Sequence, residues 1–555
     1  MDWMYLFYFL LALLMAFGAQ YAGRGAWNEE YTSLRQTKML QGITALGIAL
    51  HHMAQKTCAP WHPQKYTVHG LEPFLSVGYL LVGVFLFCSG MGLYKSFKTK
   101  PDYLKGFFRR RVLPLVIAYY LSEWIYTAIR YAMNEVMDLK TVLWYLSGLH
   151  MANFNSWYMV AIVLFYAVFR AAFRLCKKEG AAICLVFLAA LGYTALGVLI
   201  GHQDDWWMRG EWWYNSIMLF PLGLLFGKFE ERVTAFFKKG YLFWLLLFCA
   251  AVALLLPQSE WLNNNAWGYY GEVGDPMTIP HCLMSVGLQW LTASAYVTLC
   301  FLLLMKIRFG NRVLGWLGSV TLEFYLAHGI FVELFGYNFL DIAKSLVYIR
   351  SVPLFIAAVL GCSVPATLLF SFLWKLILRL LPGTPRRERP ARRRLPRWFI
   401  PGAVAVLGVA LMPLLSGDKN VRVMSGMTFH VPEQFTRTYS ERRYAVWEDK
   451  GAGKRAGKLV LDADIRDGKA RNLHTAEEVL ASCDWLTGAE LYVNPQGVRM
   501  VRGFADYAGN RERRYYIETT GPVLLMCMIE DERYYDRDAC EAALLQVAEG
   551  VVRAN

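Results

Sequence analysis

A chain of 555 residues that is 56% hydrophobic and only 18% charged, with its apolar residues gathered in blocks near bilayer length, cannot be an ordinary soluble domain. Only helices and closed barrels satisfy every backbone group in lipid, and continuous apolar blocks mean helices, so the fold class is an all-α polytopic membrane bundle embedded among membrane lipids. The formal charge of +14 sits in short loops beside these blocks, where it orients helices; we therefore expect no nucleic-acid partner.

At roughly twenty apolar residues per crossing, about twelve spans can be counted, near 3–21, 39–56, 72–94, 111–133, 156–174, 181–200, 214–228, 241–256, 281–305, 315–337, 351–380 and 398–416. The first block lacks a basic leader and a small-residue cleavage site, so it reads as a retained helix. Basic residues follow the third span (Lys95, Lys98, Lys100, Lys105, Arg109, Arg110, Arg111), the fifth (Arg174, Lys177, Lys178), the seventh (Lys228, Arg232, Lys238, Lys239), the ninth (Lys306, Arg308, Arg312) and the eleventh (Arg386 to Arg397). All these loops share one side, which the positive-inside rule makes cytoplasmic. The opposite loops are acidic or aromatic: Asp204, Asp205 and Glu211 among Trp206, Trp207, Trp212 and Trp213, then Glu260, Glu272 and Asp275. That tryptophan cluster reads as an interfacial belt, with a sugar-stacking platform as the sharper alternative.

After the last span the composition turns charged and mixed, with strand-like runs at 458–465, 490–494 and 515–520 and helical patterns at 476–483 and 538–554. The expected organisation is an extra N-terminal helix and cytoplasmic link (1–35), a ten-helix membrane domain (36–381), a basic loop and last helix (382–416), and a small soluble α+β domain (417–555) outside the membrane. That last domain shows no nucleophile elbow or phosphate loop, which suits binding or docking better than catalysis. Eleven cysteines are scattered singly and no Cys/His cluster has metal-ligand spacing, so no metal is expected.

The stretch MLQGITALGIALHHMAQKT (Met39 to Thr57) is apolar and helical in character, yet it ends in His51 and His52 at the outer end of the second span. Ionisable groups at a membrane helix edge are functional candidates. The plainer reading is a pair of headgroup-level histidines. Glu123, Glu323 and His328 also fall inside predicted spans, and Glu323 and His328 lie too far round their helix to face each other.

These features occur in a recognisable order: the histidine-ended helix, VGVFLFCSGMGLYKS, FFRRRVLP, NSWYMVAIVLFY and LGSVTLEFYLAHG. The pattern resembles the acyltransferase-3 family of integral membrane O-acyltransferases over roughly residues 36–380, with an added C-terminal domain. The resemblance implies that His52 is the family histidine and His51 an extra neighbour. Eleven positions before His52, where the family has Arg or Lys, stands Gln41, and Lys38 lies one turn earlier. Ser89 matches the Ser-Gly motif and Arg111 one arginine of an Arg-x-x-Arg pattern whose other position is Phe108, with Arg109 and Arg110 shifted. Trp157, Tyr325 and His328 match the later motifs.

Acyl transfer from a thioester to a hydroxyl needs a base, and histidine is poised for it at neutral pH. His52 is the candidate, as general base or as an acyl-histidine relay. Arginine binds phosphate bidentately, so Lys105, Arg109, Arg110 and Arg111 are candidates for the nucleotide end of acyl-CoA, acetyl-CoA above all. The expected enzyme resides in the inner (plasma) membrane and delivers the acyl group to a hydroxyl of an extracytoplasmic glycan or other envelope acceptor. The competing class is a transporter or flippase; such proteins carry matched internal repeats and broken helices, and no such repeat is readable.

Overall fold

A computed structural model of the chain describes residues 3–60, 62, 67–132, 139–200, 208, 210–266, 278–337, 348–380, 420–440, 443–449, 457–466, 468–507, 510–519, 521–529 and 535–553. Two compact units divide the chain, one helical and one built on a β-sheet.

The helical unit runs α1 (Trp3–Ala16), α2 (Leu34–Gln55), α3 (Gly78–Thr99), α4 (Leu113–Ala132), α5 (Leu139–Ser147), α6 (Trp157–Leu175), α7 (Glu179–Ile200), α8 (Leu219–Lys238), α9 (Tyr241–Asn265), α10 (Thr278–Lys306), α11 (Arg312–Ser319), α12 (Thr321–Phe335) and α13 (Val352–Leu380). Short strands β1 (Gln20–Tyr21) and β2 (Ile307–Arg308) pair antiparallel. Among the described residues seven helices are long and apolar enough to cross a bilayer, eight if α11 and α12 form one span bent by 89°. By length and apolarity the described helices thus account for seven or eight of the expected twelve. α1 is only 14 residues long; α2 carries Arg35, Lys38 and two histidines; α8 ends in a charged run, Lys228 to Lys238. The block 398–416 and the Arg/Pro-rich loop lie outside the described residues.

Burial separates core helices from lipid-facing ones. Helix α3 is the hub, packing on α2, α8 and α10. Glycines set the close approaches: a Cβ at Gly90 of α3 would collide with Phe220 O of α8, and one at Gly223 of α8 with Phe87 O of α3. Small residues allow such backbone contact where lipid supplies no hydrophobic drive between helices. Helix α2 meets α11 in the same way, through Gly42 against Leu314 O and Gly318 against Lys38 O. Helix α9 lies outermost, with 6% of its apolar window buried, and α1 exposes Tyr5, Leu6, Phe9, Leu10 and Leu13.

The basic loops gather at one end of this unit. Lys95 pairs with Glu230 (2.8 Å), Lys98 with Glu179 (2.8 Å), Lys238 with Glu29 (2.8 Å) and Arg308 with Glu30 (3.2 Å). Lys306 donates to Gly23 O and Ala26 O, and its ammonium lies 3.9 Å from the centre of the Trp27 ring. Many of the cations that mark topology in the sequence are therefore held by glutamates from neighbouring loops and helix ends.

The second unit contains β3 (Val421–Met424), β4 (Met427–His430), β5 (Phe435–Ser440), β6 (Tyr444–Asp449), β7 (Lys458–Asp462), α14 (Ala476–Ser482), β8 (Thr487–Val493), β9 (Arg499–Tyr507), β10 (Asn510–Ile517), β11 (Leu524–Ile529), α15 (Arg537–Glu549) and β12 (Val552–Arg553). It is the α+β domain that the composition announces. Seven antiparallel strands run in the order β5-β6-β7-β11-β10-β9-β8, two meanders joined where β11 pairs with β7. Alternate residues point to opposite faces. Ala445, Trp447, Leu459, Leu461, Met526 and Met528 pack with α15, whereas Val446, Val460, Leu525 and Cys527 pack with Val479 of α14. Both faces are covered, which is why β11, read as LLMCMI, has no polar alternation.

Candidate active site

Positions 41 and 52 of α2 lie eleven residues apart, about three helical turns and about 16 Å on one face. The face ends in a hydrogen-bonded histidine pair. His52 Nδ1 is 2.9 Å from His328 Nε2, with the two rings stacked at 9° and 5.1 Å between centroids. His328 is fully buried, and its Nδ1 donates to Phe324 O one turn back on α12 at 2.9 Å. That bond fixes the proton of neutral His328 on Nδ1, so its Nε2 must accept. His52 then donates from Nδ1 and keeps its lone pair on Nε2. Backbone carbonyl, His328 and His52 form one polarised chain whose open end is a basic nitrogen.

His51 turns elsewhere. Its Nδ1 donates to Phe74 O at 2.8 Å and its ring lies on Gly78, where a Cβ would collide with it. It ties the end of α2 to the start of α3.

Helix α12 is positioned from both sides. Glu323, in its first turn, accepts at Oε1 from Ser371 (3.1 Å), Trp374 (3.2 Å) and Lys375 (2.9 Å), all on α13. Glu323 and His328 therefore serve different neighbours, as their spacing demands. On the other flank the Tyr325 hydroxyl donates to Asn155 O, and Gly329 passes close to Tyr126 and Asn155. The turn carrying Asn155 is held by Glu123, whose carboxylate accepts from the backbone of Ala152 (2.6 Å) and Asn153 (3.2 Å) and from the Ser156 hydroxyl (2.6 Å). The same turn starts α6 at Trp157, which packs against Trp213 at 6.0 Å. Trp213 is 1% exposed, so it is a packing residue and not part of an exposed belt or open sugar platform. Trp206 and Trp207 lie outside the described residues.

Toward the basic end, Lys38 is half-buried with Glu323 and Cys88 as electrostatic neighbours, and Gln41 stands one turn above it. Ser89 neighbours the hydroxyls of Tyr158 and Tyr166. Phe108–Val112 forms a wide π-helical turn, in which Leu113 N–H reaches back five residues to Phe108 O just before Pro114. Wider turns of this kind are frequent at functional sites. Arg111 Nε donates to the Tyr103 hydroxyl (2.9 Å) and Arg110 Nη2 to Tyr103 O (2.8 Å), while Lys105 and Arg109 are exposed. Arg170 of α6, which the sequence does not single out, stacks its guanidinium 4.8 Å over the Phe108 ring. It brings a cation to the position where the motif arginine is missing. No sequence signal marks it, because its partner lies 62 residues away.

A second polar centre also escapes sequence reading, which takes Glu211 only as an acidic loop marker. Glu211 is buried and accepts from Gln289 Nε2 (2.7 Å) and the Ser285 hydroxyl (3.1 Å), which is also 2.6 Å from Asn263 Oδ1. Burial pushes its carboxyl up to about 7. Among the described residues no group of three or more His, Cys, Asp or Glu side chains could hold a metal ion.

No curated protein and no solved structure matches the chain with significance. The family model described as an acyltransferase domain (Acyl_transf_3) matches residues 38–374, well over half of the chain and the whole span from Lys38 through His52 and His328 to Trp374. The chain belongs to the acyltransferase-3 family, a multi-pass membrane protein built for acyl transfer.

Proposed function

We propose that this protein is a membrane O-acyltransferase that moves an acyl group, acetyl in the first instance, from acyl-CoA to a hydroxyl of an extracytoplasmic glycan or envelope acceptor in the plasma membrane. The observation that carries the reading is the chain Phe324 O, His328, His52, which leaves His52 Nε2 as a base. His52 Nε2 takes the acceptor's hydroxyl proton as the oxygen attacks the thioester carbonyl. The imidazolium that forms keeps its Nδ1–H on His328 Nε2. Collapse of the tetrahedral intermediate breaks the carbon–sulfur bond, and the thiolate leaves with the proton returned from His52. A positioned base of this kind contributes about 10²- to 10⁴-fold.

At the basic end, Arg111, Arg170, Arg109 and Lys105 offer hydrogen bonds to the phosphates of the acyl donor. Both this cluster and Gln41 lie away from the histidines, toward the side that the charge pattern makes cytoplasmic. The face of α2 between Gln41 and His52 then runs from donor entry to acceptor. The C-terminal domain, with its two covered sheet faces, holds or selects the acceptor.

The test is label transfer from radiolabelled acetyl-CoA to an envelope glycan fraction in membranes containing wild type or His52→Ala. Labelling by wild type and not by the variant supports the reading. Equal labelling by both, or silence of wild type across several acyl donors, refutes it in favour of a transporter.

A further inference from the structure

The Glu211 centre has more hydrogen-bonding capacity than the protein uses. Gln289 Oε1 and Asn215 Oδ1 are buried without a hydrogen-bond partner, in residues that are 2% and 4% exposed. Buried polar groups are nearly always paired, because an unpaired one forfeits its hydration for nothing. These residues belong to one neighbourhood. Gln289 donates to Glu211 and Ser285; the backbone N–H of Asn215 bonds Glu211 O; the Tyr79 hydroxyl stands beside Thr292 and Ser259 and has Glu211 as an electrostatic neighbour.

The unmet hydrogen bonds define a specific chemistry. Two amide oxygens ask for donors, and the phenol can give or accept. An anion is disfavoured by the two amide oxygens, which only accept. A cation is disfavoured too, since burial favours the neutral carboxyl of Glu211. A neutral ligand rich in hydroxyl groups suits these groups together. Tyr79 also brings an aromatic ring beside the cluster, and aromatic rings suit the apolar face of a sugar.

Its place in the bundle points the same way. The first turn of α3 presents Gly78 to His51 and, at the next residue, Tyr79 to the Glu211 cluster. Successive helical residues project about 100° apart, so the cluster and the histidine end of α2 flank one turn. We propose that the Glu211–Ser285–Gln289 cluster, with Asn215 and Tyr79, binds the neutral, polyhydroxylated sugar unit of the acceptor. This rests on the acyl-transfer reading above, and it assigns the acceptor a subsite within the membrane domain.

The test separates binding from transfer. Detergent-solubilised wild type, Gln289→Leu and Glu211→Gln are titrated with the envelope glycan fraction and, separately, with acetyl-CoA, following tryptophan fluorescence. The expected result is glycan affinity at least tenfold weaker in both variants, with acetyl-CoA affinity held and each variant still folded at the titration temperature. Should Gln289→Leu fail to fold, Glu211→Gln decides, because it keeps the shape of the side chain. Equal glycan affinity in wild type and variants overturns the proposal and leaves the cluster holding ordered water only; a parallel loss of acetyl-CoA affinity overturns it in favour of a general packing role. Label transfer by wild type is scored independently. A wild type that binds glycan through these residues but never transfers label refutes the acyl-transfer reading while retaining the site.

Discussion

His328→Ala removes the acceptor for His52 Nδ1–H while leaving the base itself in place. In the resting state the lost bond joins two neutral groups, a net contribution of about 0.5–1.5 kcal/mol. When His52 becomes an imidazolium in the transition state, the bond is charge-assisted and contributes about 1.5–3 kcal/mol. Only the difference, about 1–1.5 kcal/mol, bears on the rate, so kcat should fall about tenfold, far short of the about 10²- to 10⁴-fold expected for His52→Ala. The assay is the initial rate of label transfer from acetyl-CoA in membranes normalised for expression. His328→Gln, whose amide oxygen reaches the place of the imidazole Nε2, should recover most of the rate. Because His328 acts through His52, the double variant should be no slower than His52→Ala alone. A His328→Ala enzyme within about twofold of wild type, or a double variant slower than His52→Ala by a further tenfold or so, would refute the hydrogen-bonded chain as the source of the base.

Three more outcomes follow from the geometry. Glu211 has a folded-state pKa raised from 4.5 to about 7, so the folded protein holds a proton that the unfolded chain has released. Its contribution to stability is therefore present below pH 4.5 and is lost as pH rises toward and through 7, a tenfold difference in proton affinity between the two states being equivalent to about 1.4 kcal/mol. The thermal midpoint should fall between about pH 5 and 8 in wild type and fall less in Glu211→Gln; parallel curves would contradict the assignment. Gly42→Ala and Gly318→Ala should each destabilise by about 1–3 kcal/mol, since the added methyl meets a backbone carbonyl of the facing helix. Gly92→Ala, with nothing within 4 Å of the new atom, should be neutral or stabilising in the same thermal assay. Arg111→Ala should raise the acetyl-CoA KM about tenfold with a smaller change in kcat; a loss confined to kcat would place Arg111 elsewhere in the cycle.

The parts of this molecule legible in its sequence are those that depend on local pattern. Apolar blocks locate helices such as α6 and α7 to within a few residues, and the change of composition near Gly417 marks the second unit. The His52 to His328 pairing is reachable only through motif order, because two histidines 276 positions apart carry no mutual spacing signal. Span 315–337 reads as one rod, since hydropathy does not register the break at Val320 between α11 and α12. Arg170 and Gln289 are invisible for a related reason: each lies in a mostly apolar helix and acquires its meaning only from what a distant segment places beside it. The continuous strand β11 hides for want of alternation, both its faces being covered.

The break between α11 and α12 also bears on the lipid. Fifteen residues of α12 extend about 22 Å, against a hydrocarbon core of about 30 Å. Helix α11 turns away at 89° and adds little height. The element carrying His328 is therefore shorter than a bilayer is thick, yet none of its residues is exposed, so it ends against protein and not against lipid, where a short, bent helix is tolerated. Catalytic rate in this protein should consequently change little with acyl-chain length of the surrounding phospholipid, because the neighbouring helices and not the bilayer hold the histidine-bearing helix at its depth.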